Sequence, residues 1–308
     1  MAREGTTGAG GREDTTGAGG SGWEFEDDRG VRVTLPRRPE RIVAYAQIAA
    51  ALWDEGVRPA GHFGSQHDGD TPDPAKSGLL PLDEVPYYGA GGALHIERLL
   101  AADPELLVGV TYDGKSLYGV DERVAEELAA RVPVVALDVG PGRGLGEVAA
   151  RLVELALALG AVPAEGADQL AGAGERLRAV AGSGAEVRVL ALSPAGADTA
   201  YLARGTVWPD LRALAEQGVT LVAPPAGEGM NWATGGWADA LALAPGIVLT
   251  DVRANAARPD VFGNTDGWRA LADAAVVVPW NPELPPSRSA QARFFETLAD
   301  AIGRARGE

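Results

Sequence analysis

Residues 109–116, GVTYDGKS, satisfy the G-x-x-x-x-G-K-[ST] pattern of a phosphate-cradling loop, follow an apolar strand and precede VVALD at 134–138. Such a loop must run straight into a helix, whose first amides complete the anion site. Here Leu117-Tyr118-Gly119-Val120 intervene and the next helical pattern starts near Asp121, so P-loop nucleotide binding stays a secondary alternative. Residues 61–74, GHFGSQHDGDTPDP, gather His62, His67, Asp68, Asp70 and Asp73 and invite a metal reading. An EF-hand loop needs glycine at its sixth position, where Asp73 stands, and a zinc site would need a third ligand such as His95. A polar loop at the surface or in a cleft fits these residue types better, because loops attract them. Serine hydrolysis finds no G-x-S-x-G elbow around Ser65, Ser116 or Ser193, and three histidines leave few general bases.

The aromatic residues carry more. Tyr45, Tyr112, Tyr118, Tyr201, Trp232 and Trp280 fall at or just beyond the C-terminal ends of expected strands, or in the loops there. That edge of an open parallel sheet is where ligands bind. With Arg253 just past strand 247–251, they predict a cleft of aromatic faces and a few cations, suited to a bulky, partly apolar small molecule.

The elements that must position these residues alternate. A small hairpin is expected over Trp23 to Leu35, around Asp28-Arg29-Gly30. Strands are then expected at 42–45, 58–63, 106–110 and 134–137, with helices at 47–55, 94–102, 121–131 and 145–159. The alternation restarts with strands at 187–192, 220–223, 247–251 and 276–278 and helices at 208–217, 238–244, 268–272 and 289–304. Strand–helix alternation implies parallel sheets covered on both faces. HIERLLAADPELLVG (95–109) and WADALALAPGIVLTD (237–251) echo each other as helix, proline and apolar strand, which suggests two related lobes. Between the lobes, Pro163 to Gly182 reads as one helix of about 30 Å. Pro163 suits its first position, while Gly166, Gly172 and Gly174 weaken it by about 1 kcal/mol each. The expected division is a Gly-rich tether over 1–22 containing TTGAGG twice, a lobe over 23–162, the joining helix over 163–182 and a lobe over 183–308.

Composition excludes several classes. The chain of 308 residues carries 27 Lys and Arg against 43 Asp and Glu, a formal charge of −16, which opposes nucleic acid and anionic membrane alike. It has no cysteine, so disulfides and thiol chemistry are out. No run approaches the ~20 apolar residues of a membrane span. The N-terminal residues also lack the apolar core of a signal peptide.

In order along the chain, the hairpin with PRRPERIVA (36–44), AAALWDEGVRPAG (49–61), HIERLLAADPELLV (95–108) and GWADALALAPGIVLTDVR (236–253) resemble one family. It is the substrate-binding proteins of ABC importers whose two lobes are joined by a single long helix, carriers of ferric siderophores, haem and cobalamin. The resemblance implies an α/β fold, with two lobes of mostly parallel sheet flanked by helices. It implies no catalysis, no cofactor of the protein's own, and iron carried as a ferric siderophore complex. A hexadentate siderophore supplies all six oxygens to the iron, so the protein needs no metal ligands, whereas a bare-ion binder would need several. Haem would want an axial His or Tyr, such as Tyr112.

Ferric-hydroxamate binders are closest in pattern, and their cleft aromatics match Tyr112, Trp232 with Thr234, and Trp280. Where they carry an arginine ahead of HIERLL, this chain has Gly91-Gly92-Ala93, leaving Arg253, Lys115 or Arg143 as substitutes. Family members dock on their permease through one carboxylate per lobe. Glu97 matches the first, while the second position is Ala238, with Asp239 beside it. The resemblance therefore implies a monomer that hands its ligand to ABC permease subunits and binds no nucleic acid. The tether resembles the linker after an anchoring cysteine, which implies a protein held outside the cytoplasmic membrane. A cytoplasmic protein or enzyme that kept the fold is the alternative.

Overall fold

The computed structural model describes residues 22–65, 67–162 and 166–307. Most of the expected tether and Pro163 to Glu165 at the start of the joining helix lie outside them. The chain opens on an antiparallel hairpin of β1 (Trp23–Glu26) and β2 (Arg32–Leu35). Trp23 Nε1 donates to the Ala158 carbonyl at 2.9 Å and the Asp27 carboxylate accepts from Ala136 N at 3.0 Å, so the hairpin is bolted to the first lobe.

That lobe is built on β3 (Ile42–Tyr45), β4 (Gly61–Gly64), β5 (Tyr87–Ala90), β6 (Leu106–Thr111) and β7 (Val134–Asp138). They form one sheet in the order β5-β4-β3-β6-β7, every pair parallel. Its helices are α1 (Ala46–Asp54), α2 (Ile96–Ala101), α3 (Glu122–Ala129) and α4 (Leu145–Ala158). The central strands β3 and β6 are buried on both faces, which is why they read as unbroken apolar runs rather than alternating ones. Ile42, Leu52, Leu99, Leu106 and Leu152 meet in the core there.

The joining helix α5 (Gly166–Gly182) is followed by the second lobe, with strands β8 (Arg188–Pro194), β9 (Thr199–Ala203), β10 (Thr220–Leu221), β11 (Trp232–Gly236), β12 (Ile247–Asp251) and β13 (Val276–Trp280). Its helices are α6 (Pro209–Glu216), α7 (Trp237–Ala242), α8 (Pro259–Phe262), α9 (Asp266–Ala274) and α10 (Arg288–Arg306). The sheet order is β11-β9-β8-β12-β13, with β10 also paired to β8. β8, β10, β12 and β13 are parallel, but β9 runs antiparallel to both β8 and β11, so this sheet is mixed. β5, β9, β11 and α8 have no counterpart in the sequence reading. β5 and β11 carry glycines that erase a strand signature, and α8 is a single turn.

Helix α5 spans about 26 Å. Ala173 and Leu177 lie in the core of the second lobe, and Arg176 pairs with Glu296 and Asp300 of α10, which packs along it. The start of α10 reaches back to the first lobe, where Arg288 pairs with Glu55 at 2.9 Å and Arg293 with Asp54 at 3.2 Å. The lobes are therefore tied by α10 as well as by the chain crossing through α5. Among the described residues no helix is long and apolar enough to cross a membrane.

The lobe echo extends to backbone strain. Among the described residues two non-glycines adopt positive φ, Asp103 at 50° and Ala244 at 49°, each directly before the proline that separates helix from strand in α2–β6 and α7–β12. A left-handed alanine costs about 1 kcal/mol or more. Ala244→Gly is therefore expected to raise stability by about 1 kcal/mol, whereas Ala240→Gly in the middle of α7 should lower it by about as much or more. Thermal unfolding of the two variants, one with a higher Tm and one with a lower, is the check.

Candidate functional site

Loops from both lobes converge on a cleft of about 670 Å³. The first lobe contributes Tyr112 and Tyr118 from the loop after β6, and His67 from the loop after β4. The second contributes Ser193 at the end of β8, Tyr201 of β9, Trp208 before α6, Asn231 and Trp232 at the start of β11, Arg253 after β12, and Glu283 after β13. Grooves of similar volume, about 620 Å³ between α5 and α10 and about 730 Å³ beside the start of β8, carry no aromatic ring.

Each lobe presents its own aromatic cluster. On the first, Tyr112 and Tyr118 meet edge to face at 4.7 Å, and Tyr45 backs Tyr118 at 6.2 Å. Burial first, then the charge of Glu283, pushes the Tyr118 hydroxyl up to about 12, so it stays a neutral hydrogen-bonding group. On the second, Trp208, Trp232 and Trp280 form a triangle with ring centroids 4.9, 5.9 and 6.0 Å apart. Edge-to-face rings at such distances hold one another in place, each pair worth about 1 kcal/mol beyond burial.

Beneath the rings lies a cluster of charges spanning the lobes. Lys76, 1% exposed, donates to Asp68 Oδ1 at 2.5 Å and Ser65 Oγ at 3.0 Å, and lies 3.2 Å from Glu283 of the second lobe. Glu283 also accepts from Arg253 Nη1 at 2.8 Å and from the Tyr45 hydroxyl at 3.3 Å. Arg253 turns its other face to Asp251, with Nη2 to Oδ2 at 2.8 Å, and Ser193 Oγ donates to the same oxygen at 2.8 Å. Burial by itself lowers the Arg253 guanidinium, but the bonds and charges of Asp251 and Glu283 outweigh it and hold the group above its ordinary value. Asp73 Oδ2 adds a further interlobe bond from Ala254 N at 2.8 Å. Asp73 and Lys76, the latter held by Ser65 and Asp68, thus lock the first lobe to the second beside the cleft.

Of the residues singled out from sequence, Tyr112, Tyr118, Tyr201, Trp232 and Arg253 line the cleft. Five others are placed differently. Tyr45 and Trp280 are 1% and 2% exposed and stand behind the cleft rings as their packing partners. Thr234 shares a face with Tyr201, its cross-strand neighbour, but lies one strand further out. Lys115 is exposed outside the lining, and Arg143, half-buried and also outside it, pairs with Asp138 at 3.2 Å. The phosphate-loop motif is filled by its own side chain, since Asp113 Oδ1 accepts from Lys115 N and Ser116 N, each at 2.8 Å. Those amides hold the Asp113 carboxyl well below its usual range, and no helix begins before Glu122.

The histidines are dispersed. His62 is fully buried against Tyr87, and burial pushes it down to about 4, so it is neutral. His67 is at the cleft and His95 precedes α2. Among the described residues no group of three His, Cys, Asp or Glu is placed to hold a metal. Glu97 is exposed in the first turn of α2. Asp239 is exposed in the first turn of α7, with Oδ2 accepting from Gly236 N at 2.9 Å.

Trp208 and Glu283 are the functional side chains that sequence reasoning missed. The Trp-Pro pair opening a helix, and a lone carboxylate in the proline-fixed NPELPP segment, were the available signals.

No protein-family model matches the chain, and no curated protein sequence does. Among solved structures it is similar to DesE, a ferric-siderophore receptor protein from Streptomyces coelicolor, at 31% identity and TM-score 0.79, covering 91% of this chain and 97% of that one. The siderophore periplasmic binding protein from the fuscachelin gene cluster of Thermobifida fusca aligns at 18% identity and TM-score 0.61, covering 88% and 97% of the two chains. The Fe3+-Desferal-bound siderophore binding protein FhuD from Vibrio cholerae aligns at 13% identity and TM-score 0.60, covering 86% and 98%. The last two show a common fold.

The charge cluster makes its own prediction. Lys76→Met leaves two buried carboxylates without their ammonium and should cost about 3 kcal/mol or more. Arg32→Met, which removes an exposed pair on the hairpin, should leave the urea midpoint unmoved. Equilibrium unfolding in urea distinguishes the two.

Proposed function

Because the chain belongs to the siderophore- and haem-binding class of two-lobed periplasmic binding proteins, and is a binding protein rather than an enzyme, we propose that it holds a ferric siderophore of the hydroxamate type. The ligand sits in the interlobe cleft, outside the cytoplasmic membrane, and is delivered to an ABC permease. The observation that carries the ligand class is the state of Arg253. It is the one arginine or lysine among the described lining residues, and its guanidinium is already shared between Asp251 and Glu283. Three hydroxamates cancel the charge of ferric iron, whereas three catecholates leave a threefold negative complex. An anionic complex would find no free cation here, and would approach a protein of formal charge −16. A neutral or cationic complex meets neither obstacle.

The remaining chemistry supports the same reading. Iron that arrives fully coordinated asks the protein for shape, apolar contact and hydrogen bonds. Two aromatic walls, with Tyr118, Asn231 and Asn255 as polar members of the lining, supply these. Ties between the lobes through α10, Lys76 and Asp73 limit relative motion, so the cleft is largely preformed. Glu97 and Asp239, exposed on the equivalent helices α2 and α7, are the carboxylates proposed to meet the permease.

Titration of intrinsic tryptophan fluorescence with ferric trihydroxamates, ferric catecholates, haem and cobalamin tests the proposal. Saturable quenching by a ferric trihydroxamate is expected, at least tenfold tighter than by a tris-catecholate. Quenching by none of the panel would overturn the transport reading, and preference for the catecholate would overturn the ligand class. Trp232→Ala and Trp208→Ala should each weaken binding more than tenfold.

A further inference from the structure

The tryptophan triangle is anchored from below. Trp280 Nε1 donates to Asp210 Oδ2 at 2.5 Å, and Asp210 is 2% exposed in the first turn of α6. The same turn fixes Trp208, whose residue caps α6 and is followed by Pro209 and Asp210. The carboxylate therefore holds one corner of the triangle, Trp280, through its indole, and a second corner, Trp208, stands at the start of the same helix turn. The third corner, Trp232, rests against both.

The other carboxylate oxygen has a different setting. Asp210 Oδ1 is buried and has no partner among the described residues, and the same holds for Gln47 Oε1 on α1 of the first lobe. Both residues line one small cavity of about 60 Å³ between the lobes. Gln47 fixes its amide by donating Nε2 to the Leu284 carbonyl at 2.8 Å, so its oxygen is an acceptor. Two acceptor oxygens without partners thus border one small space, where a water or a proton on Asp210 would satisfy them. Tyr112 and Trp208 line this cavity and the ligand cleft alike, so the two spaces share a wall.

We propose that Asp210 is a positioning residue of the cleft, whose carboxylate sets the tryptophan wall through Trp280 and whose protonation, at an oxygen left without a partner, loosens it. This rests on the aromatic cleft being the ligand site. The charged form accepts the stronger bond from the indole, and protonation weakens that bond. Burial pushes the Asp210 carboxyl up to about 6, against the pull of Trp280 and of the α6 amides. The groups facing it are few. Arg212 on its own helix lowers it and donates to the Arg143 carbonyl, and Tyr112 comes from the loop after β6. The side chains from α1, α4 and the 282–286 segment at the cavity are uncharged. Because this carboxyl lies above its value in an unfolded chain, acidification through pH 6 adds stability at this position, and that stability is lost as pH rises through 6. The titration of Asp210 is therefore not itself a source of acid unfolding.

The test starts on unliganded protein, where near-ultraviolet circular dichroism of the tryptophans should show a step with a midpoint near pH 6 that is absent from Asp210→Asn. Affinity for ferric Desferal should fall at least threefold from pH 7.5 to pH 5, and Asp210→Asn should remove that dependence. Asp210→Leu should weaken binding at least tenfold at pH 7.5, with no further loss when combined with Trp280→Phe. A wild-type dichroism signal flat from pH 4.5 to 7.5, or a step retained in Asp210→Asn, overturns the role of Asp210 whether or not any ferric complex binds. A step that behaves as expected, with no binding of ferric Desferal or any other complex in the panel, leaves the role of Asp210 standing and overturns the siderophore reading instead.

Discussion

The arrangement depends on a single buried carboxylate, Glu283, that accepts from both lobes at once. Lys76 and Tyr45 reach it from the first lobe and Arg253 from the second, while Asp68 and Asp251 hold the far sides of the two cations. Removing charges from water costs several kcal/mol per ion, and a buried pair recovers this only where hydrogen bonds satisfy the remaining sites. Ser65 and Ser193 meet that condition, one at each end of the chain of charges. Separating the lobes would expose or orphan these groups together, so the cluster favours one relative placement. The proline-rich segment around Glu283 and the α10 contacts to Asp54 and Glu55 keep the carboxylate at that point.

On this floor the two lobes present unlike walls, tyrosines on one side and tryptophans on the other. The visible rings are held by hidden ones. Tyr45 and Trp280 are almost wholly buried, yet they fix the orientation of Tyr118, Trp208 and Trp232. The division of labour is physical: a ring that contacts ligand must expose a face, and an exposed ring keeps a fixed angle only if its back is packed.

The likeness of the lobes is clearest where it costs most. Asp103 and Ala244 share a strained backbone conformation at matching places before a proline, and Leu99 and Ala240 are both fully buried on the preceding helix. The sheets have nonetheless diverged. The first is wholly parallel, while the second carries β9 reversed, and that reversal brings Tyr201 opposite Ser193 at the cleft.

Local order was legible in the residues themselves. Apolar runs at 42–45, 106–110 and 247–251, helix periodicity between them and the helix–proline–strand echo require only neighbouring residues to agree, so they marked the strands, the helices and the paired lobes. Strands with glycines, such as WATGG, carry no such local signature and form because a partner strand is present. Position within the cleft was a tertiary matter throughout. Trp232 and Trp280 are alike as sequence, each beside a strand end, and packing alone left one half-buried at the cleft and put the other in the core. Lys76 and Glu283, more than two hundred residues apart, meet because burial leaves an unpaired charge no other refuge, a constraint that exists only once the chain has closed around them.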